Sequence, residues 1–431
     1  MTEKMDFNRR HVLQLVTAFG AGAALDGVNT TNAAEAEFIR AIMHKVHQDM
    51  QQSILPEMQK EGLSVRITTG PINQVEEGFV REARVQPSGF DVGFQKPEWF
   101  DAPRFDLLEP LGQWQLREPI VDFGDILASL LEAGQFNGAQ YMIPVRTGAY
   151  VLHYRKDLFD QYSLGEPATI EELGEAMRTI SAKTDVYGFT AYGRADAQWQ
   201  VLHNLAAAFG GRLFDEAGKP AMAEAGTVAA LEWYAKLFKD KMISPDHLVM
   251  DVDGSNRLLM EGRTAVLMDL GSRWSLFTDP TRSKVAGKLG WMVLPPARAM
   301  VGKKIGGYAS TWSLAIPKRA QKKQLAWRYI RMLLDPKVQI VMAQQGNDPV
   351  RRSTWASKEL IASYADRGAS TLPAVTQKAL ERATAPWPNG TAGTAKITEI
   401  IGQSVHRTLL GNATAQQAMN DAADQIRAIK A

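Results

Sequence analysis

Residues 37–94 read EFIRAIMHKVHQDMQQSILPEMQKEGLSVRITTGPINQVEEGFVREARVQPSGFDVGF, and this stretch decides the fold class. Glu37–Met43 is strand-like, and a polar loop, His44–Asp49, is expected to follow it. Ile54, Leu55 and Met58 then fall at helical spacing within Met50–Glu61, which Gly62 closes. Leu63–Thr69 alternates like a strand, Val75–Val85 reads as a helix and Gly89–Phe94 as the next strand. A β-α-β-α-β order implies an α/β protein, with a parallel sheet covered by helices on its faces. Ligands of such sheets lie beyond the carboxyl ends of the strands. Here those ends are the loops at 44–49, 70–73 and 95–101.

Further along, Asn137–Tyr154 (NGAQYMIPVRTGAYVLHY) reads as a pair of strands around Pro144. Helices are expected at Thr169–Thr179, Trp199–Phe209, Thr227–Lys239 and Gln324–Leu334, and strands at Ala265–Met268, Leu289–Leu294 and Thr311–Ile316. Asp251-Val252-Asp253-Gly254 reads as a helix-entry turn, its glycine falling two positions early for a calcium loop. The tail, Thr394–Lys430, reads as two helices broken at Gly411. Neither an internal repeat nor a Gly/Ser linker separates the halves, so several chain crossings between lobes are expected.

The N-terminus carries the marks of an export signal. Arg9-Arg10 precede an apolar run, Val12–Leu25, too short to span a bilayer, and Ala34-Glu35-Ala36 fits a cleavage site. Asn8–Gln14 resembles a twin-arginine signal, with Val12 where that pattern prefers Phe. The competing reading is an amphipathic helix with two solvated arginines. The first reading makes residues 1–36 a signal peptide and the mature chain a soluble periplasmic protein starting near Glu37.

At 431 residues the chain is long enough for two lobes, each with a core. Its 49 Lys and Arg against 47 Asp and Glu leave a net charge of +2, which argues against a nucleic-acid partner. With no cysteine there is no disulfide, thiol nucleophile, Cys-ligated metal or lipoprotein anchor. No P-loop, G-x-S-x-G elbow, dinucleotide fingerprint or H-E-x-x-H occurs. His44 and His47, with Asp49 near, would need a third ligand to hold a metal, and the expectation is no metal and no cofactor. These absences lean toward binding rather than catalysis.

Six segments, in order, resemble those of extracellular solute-binding protein family 1, the maltose-binding-protein-like periplasmic components of ABC importers. They are Asn137–Phe159 (NGAQYMIPVRTGAYVLHYRKDLF), Tyr187–Asp215 (YGF…GGRLFD), Leu259–Trp274 (LMEGRTAVLMDLGSRW), Leu294-Pro295-Pro296, Gly306–Lys318 (GGYASTWSLAIPK) and Ala326–Pro336 (AWRYIRMLLDP). The resemblance implies two α/β lobes joined by a hinge, with a ligand clamped in the cleft between them. It places crossings near Pro144–Val145, Val293–Leu294 and Gly346–Pro349. The first lobe would be 37–145 with 294–346, and the second 146–293 with 347–431. It also implies a carbohydrate ligand, a membrane permease as partner, a monomeric state and no enzymatic activity.

A sugar presents hydroxyls at its rim and C–H groups on its faces, so its site needs aromatic rings and planar polar groups. The aromatic candidates are Trp274, where the resemblance implies a stacking platform, Trp387 between two prolines, Tyr150, Trp199 and Trp99. The polar candidates are His44, Gln95, Asp101, Arg194, Tyr308, Arg351 and the backbone at Gly307. Trp233, Trp291, Trp312 and Trp327 are expected in the core. Two alternatives stay open. One keeps the fold but takes a polyol phosphate, sugar acid or polyamine. The other is an exported glycan hydrolase using carboxylates such as Asp101 and Glu109.

Overall fold

The computed structural model describes residues 37–430. The expected signal peptide lies outside the described residues. Two sheets organise the chain. The first is built from β1 (Glu37–His44), β2 (Leu63–Gly70), β3 (Val92–Gln95), β4 (Met142–Arg146) and β9 (Trp312–Ala315), in the order β2-β1-β3-β9-β4. The second is built from β5 (Tyr150–Arg155), β6 (Tyr187–Ala191), β7 (Thr264–Leu270) and β8 (Leu289–Met292), in the order β8-β5-β7-β6. This is the two-lobed α/β architecture expected from the sequence.

β1 is parallel to β2 and β3, whereas β9 is antiparallel to both β3 and β4. Ile39, Ala41, Ile42 and Met43 of β1 are all buried, as befits a strand covered on both faces. The helix Ile72–Ala83 turns Val75, Phe79, Val80 and Ala83 inward, a four-residue rhythm. Gly93 of β3 lets that helix in: a Cβ there would stand 2.4 Å from the Phe79 ring. In the second lobe the helix Ile170–Lys183 starts where Thr169 accepts the Glu172 N–H at 3.2 Å, and it buries Leu173, Met177 and Ile180.

Several local expectations shift. The polar loop expected at 44–49 is a short helix, Lys45–Asp49, tied by an i,i+4 ion pair of 2.6 Å, and it turns His47 inward. The helix expected over Met50–Glu61 starts only at Leu55, with Pro56 in its first turn, where a missing N–H costs nothing. The two strands around Pro144 do not pair with each other, because β4 and β5 belong to different sheets.

The chain passes between the two sheets from β4 to β5 and from β8 to β9, and these passages lie side by side with the segment around Asp348. Thr147 bridges to Asp348 and Ala149 to Ala309, while the Ser310 N–H donates to the Gly148 carbonyl at 2.8 Å. The terminal helices Thr394–Leu409 and Ala415–Lys430 pack on the second lobe, where Ile397, Ile401, Met419 and Ile426 join its core.

Candidate functional site

Strand ends of both sheets converge at these crossings and bring polar side chains with them. β1 ends at His44, β3 at Gln95, and β4 at Arg146, which stands opposite Trp312. Asp269 sits next to the last residue of β7, and Arg273 lies in the turn that follows. Asn347 and Asp348 come from the segment bridged to the first passage, where the Asp348 carbonyl accepts the Thr147 N–H at 3.1 Å.

Many of these groups are buried without a protein partner. Both ring nitrogens of His47, both amide atoms of Gln95 and of Asn347, Nε of Arg146 and Arg273, and one carboxylate oxygen each of Asp269 and Asp348 have none. Buried polar groups are paired in the great majority of cases, because an orphan forfeits about 1–3 kcal/mol. So many orphans in one region mark a surface shaped for a polar guest.

The electrostatics are balanced. Burial raises the Asp348 carboxyl to about 7, against the pull of the neighbouring Arg146 guanidinium. Burial likewise brings Arg146 down to about 10, with Asp348 opposing and Arg273 adding to the effect. Asp269 is raised by burial and held back by Arg273. His44 and His47 are lowered by burial first and by Arg146 next, which favours neutral imidazoles. Two guanidiniums therefore face two carboxyl groups.

Aromatic rings frame this polar centre. His47 stacks on Phe94 at 4.7 Å and meets Trp312 edge-on at 4.4 Å. Trp99 meets Trp312 at 5.2 Å, and the Lys96 ammonium lies over both tryptophans. Toward the second lobe, Tyr150, Trp199, Tyr308 and Trp387 form a contiguous cluster with centroid separations of 4.9 to 5.9 Å. The Tyr150 hydroxyl donates to Gln200 at 2.5 Å, and the Tyr308 hydroxyl to Glu98 at 2.7 Å.

The candidates from sequence divide accordingly. His44, Gln95, Trp99, Tyr150 and Tyr308 stand at or beside the polar centre. Gly307 neighbours Asn204, whose side chain holds the Tyr308 N–H at 3.0 Å. Trp199 and Trp387 are in the second-lobe core rather than open for stacking. Trp274 is buried too, stacked on Tyr364 at 4.2 Å, and Tyr364 in turn feels Asp348. Arg194 is exposed and pairs with Asp196 at 3.4 Å.

Arg351, Asp101 and Glu109 already have partners within the fold. Arg351 does not reach the site: fully buried, its guanidinium donates to the carbonyls of Leu334, Asp122 and Val121 and to the Asp125 carboxylate. Asp101 caps the helix Ala102–Phe105 by accepting the Arg104 N–H at 3.0 Å. Glu109, its suggested partner in hydrolysis, is tied to Lys323 at 2.7 Å and to Trp114. Among the described residues no three His, Asp or Glu gather as a metal site.

Arg146, Asp269, Arg273, Asn347 and Asp348 are not among the candidates from sequence, and His47 enters there only beside His44 as a conceivable metal ligand. A signal was present. Asp269 is the one charge in the otherwise apolar run Thr264–Leu270, and Arg146 and Asp348 flank expected crossings. Trp312, expected in the core, is buried there but also forms the floor beneath His47.

Comparison with known proteins bears on the fold and the family. A mannitol-binding protein of Pseudomonas aeruginosa is 30% identical over 207 residues, 47% of this chain and 47% of that protein. The chain spans about half the length of that relative. Among solved structures, a solute-binding protein of Agrobacterium radiobacter in complex with ribitol has a TM-score of 0.73 at 24% identity, covering 90% of this chain and 98% of that one. Maltose-bound MalE3 of T. maritima has a TM-score of 0.75 at 22% identity, covering 90% and 99%. The bacterial extracellular solute-binding protein model matches residues 45–340, well over half of the chain, and the protein belongs to that family.

Proposed function

We propose that this protein is the substrate-binding component of an ABC importer and captures a neutral carbohydrate or polyol between its lobes. The observation that carries the reading is the set of Arg146, Arg273, Asp269, Asp348, Gln95 and Asn347, two guanidiniums, two carboxyls and two amides, each with at least one buried polar atom that has no protein partner. Guanidinium, carboxylate and amide groups can each serve two neighbouring hydroxyls, and hydrogen bonds to charged groups contribute about 1.5–3 kcal/mol each. A phosphorylated or acidic solute calls for a net excess of cations and a polyamine for an excess of anions, whereas two guanidiniums facing two carboxyls cancel once both carboxyls are ionised, which suits a neutral solute best. The mannitol, ribitol and maltose named for the relatives are of the favoured chemical class.

In this reading the lobes are 37–145 with 294–346 and 146–293 with 347–431, and the three adjoining crossings act as the hinge. Ligand favours closure only by as much as it binds the closed form better. The closed form is what a membrane permease recognises. The protein acts as an exported periplasmic monomer, sent by the twin-arginine route through Arg9 and Arg10, and it catalyses no reaction.

A thermal-shift screen followed by calorimetry tests the core of this. Neutral polyols and sugars should raise the melting temperature, by about 2.7 kcal/mol of stabilisation at one hundred times the dissociation constant, and be recovered unchanged. Tighter binding of a sugar acid, polyol phosphate or polyamine would overturn the neutral-ligand reading. Chemical conversion of the ligand would overturn the binding role.

A further inference from the structure

The aromatic cluster beside the polar centre is built as a wall. Trp199, Tyr308 and Trp387 are 6%, 3% and 3% exposed, so none offers a free face to a sugar ring. The positions of Tyr308 and Trp387 are fixed by bonds that cross between the lobes, and Trp199 packs against both rings. The Tyr308 side chain donates to the first-lobe carboxylate of Glu98, while its N–H is held by the second-lobe Asn204. The loop carrying Trp387 is fastened to the first lobe as well. The Trp387 indole N–H donates to the Glu98 carbonyl at 3.3 Å, and the Gly390 N–H to the Phe100 carbonyl at 3.1 Å. The Asn389 amide donates to the carbonyls of Ala133 and Gln135 at 2.8 and 2.7 Å.

Tyr150 joins the two regions, since it feels the charges of Asp269 and Arg273 and its ring lies 5.9 Å from that of Tyr308. The polar centre therefore ends where the wall begins. A second sugar unit extending in that direction would have to break these backbone bonds and uncover rings that each present about 150–250 Å².

Resting on the reading of a carbohydrate- or polyol-binding site, we propose that Trp199, Tyr308 and Trp387 limit ligand length, so that the site takes one six-carbon sugar or alditol and excludes disaccharides and longer glycans.

Calorimetric titration of the purified full chain with D-mannitol, D-glucose, maltose and maltotriose tests this. At least one six-carbon probe should bind, and maltose and maltotriose at least one hundred-fold more weakly. Maltose within ten-fold of the best six-carbon probe, or maltose binding alone, would sink the length limit while leaving solute capture standing. Silence across all four would count against both proposals. Tyr308→Ala and Trp387→Ala, checked for cooperative melting, should gain at least ten-fold in maltose affinity, whereas Trp387→Phe should keep the exclusion. A folded alanine variant with no such gain would overturn the assignment to these side chains. If the variants do not fold, the wild-type panel decides.

Discussion

Asp348 shows how a single carboxyl couples the site to stability. Its folded pKa of about 7 lies above the ordinary 3.8, so between those values the folded chain holds a proton that the unfolded chain has released. Stability from this group therefore falls as pH rises from 4 to 7. Asp348→Asn should remove that slope, leaving the unliganded variant more stable than the parent at pH 7.5 by up to about 4 kcal/mol, with the difference vanishing near pH 4. Urea melts of the pair at both pH values check it. Affinity for a hydroxylated ligand should move the other way, rising with pH through about 7 as the carboxylate becomes available, and falling in Asp348→Asn. Trp274 belongs to this scale too. Its ring is buried on Tyr364, so Trp274→Ala should cost about 3–5 kcal/mol in denaturant melts besides weakening capture. An unchanged melt would show that the ring is a ligand platform alone.

At the scale of elements, most of what positions the site was legible. Hydrophobic rhythm gave β1, β2, the helix Ile72–Ala83, β7 and the two terminal helices, because apolar periodicity is local. β9 was legible as a strand, but its antiparallel seat between β3 and β4 was not, because pairing partners lie far apart in sequence. The inward turn of His47 was not, because a five-residue helix after a strand has too few positions to show a period. Nor was the commitment of Arg351, whose acceptors come from residues 121–125 and 334, far away in sequence. Aromatic residues mislead for a related reason: Trp199 and Trp387 sit in loops and helix starts that suit ligand contact, yet only three-dimensional packing decides what covers them. Element packing also yields a test. Gly402, in the helix Thr394–Leu409, faces the turn Ala195–Ala197 that leads into the Trp199 helix, and a Cβ there would stand 1.9 Å from the Ala195 carbonyl oxygen. Helix propensity alone favours alanine by about 1 kcal/mol. Contact with backbone cannot be relieved by a rotamer, so Gly402→Ala should destabilise by about 3 kcal/mol or prevent folding. A raised melting temperature would refute that packing.

For the molecule as a whole, the two lobes differ in how they meet acid. His153, His203 and His247 are buried in the second lobe, and burial lowers each to about 4. His153 accepts the Trp291 indole N–H, and His247 pairs with the Tyr234 hydroxyl at 2.5 Å, arrangements that leave little room for a second proton. A folded pKa below the ordinary 6.5 means that the unfolded chain binds more protons between 6.5 and 4. Stability is then fully present above pH 6.5 and is withdrawn as pH falls toward 4, by up to about 3 kcal/mol per histidine. The first lobe buries one comparable histidine, His47, and Asp348, bridged to Thr147, works in the opposite sense. Acid should therefore loosen the second lobe first. Hydrogen exchange at pH 7.5 and pH 5 should show protection lost earlier along β5, Gln198–Ala208 and Pro245–Val249 than along β1 and β3. With the ligand held between the lobes as proposed, acid should lower its affinity before the first lobe unfolds. Equal loss of protection in both sheets would instead mean that the lobes unfold as one cooperative unit, with the crossings too tightly coupled for the second lobe to open alone.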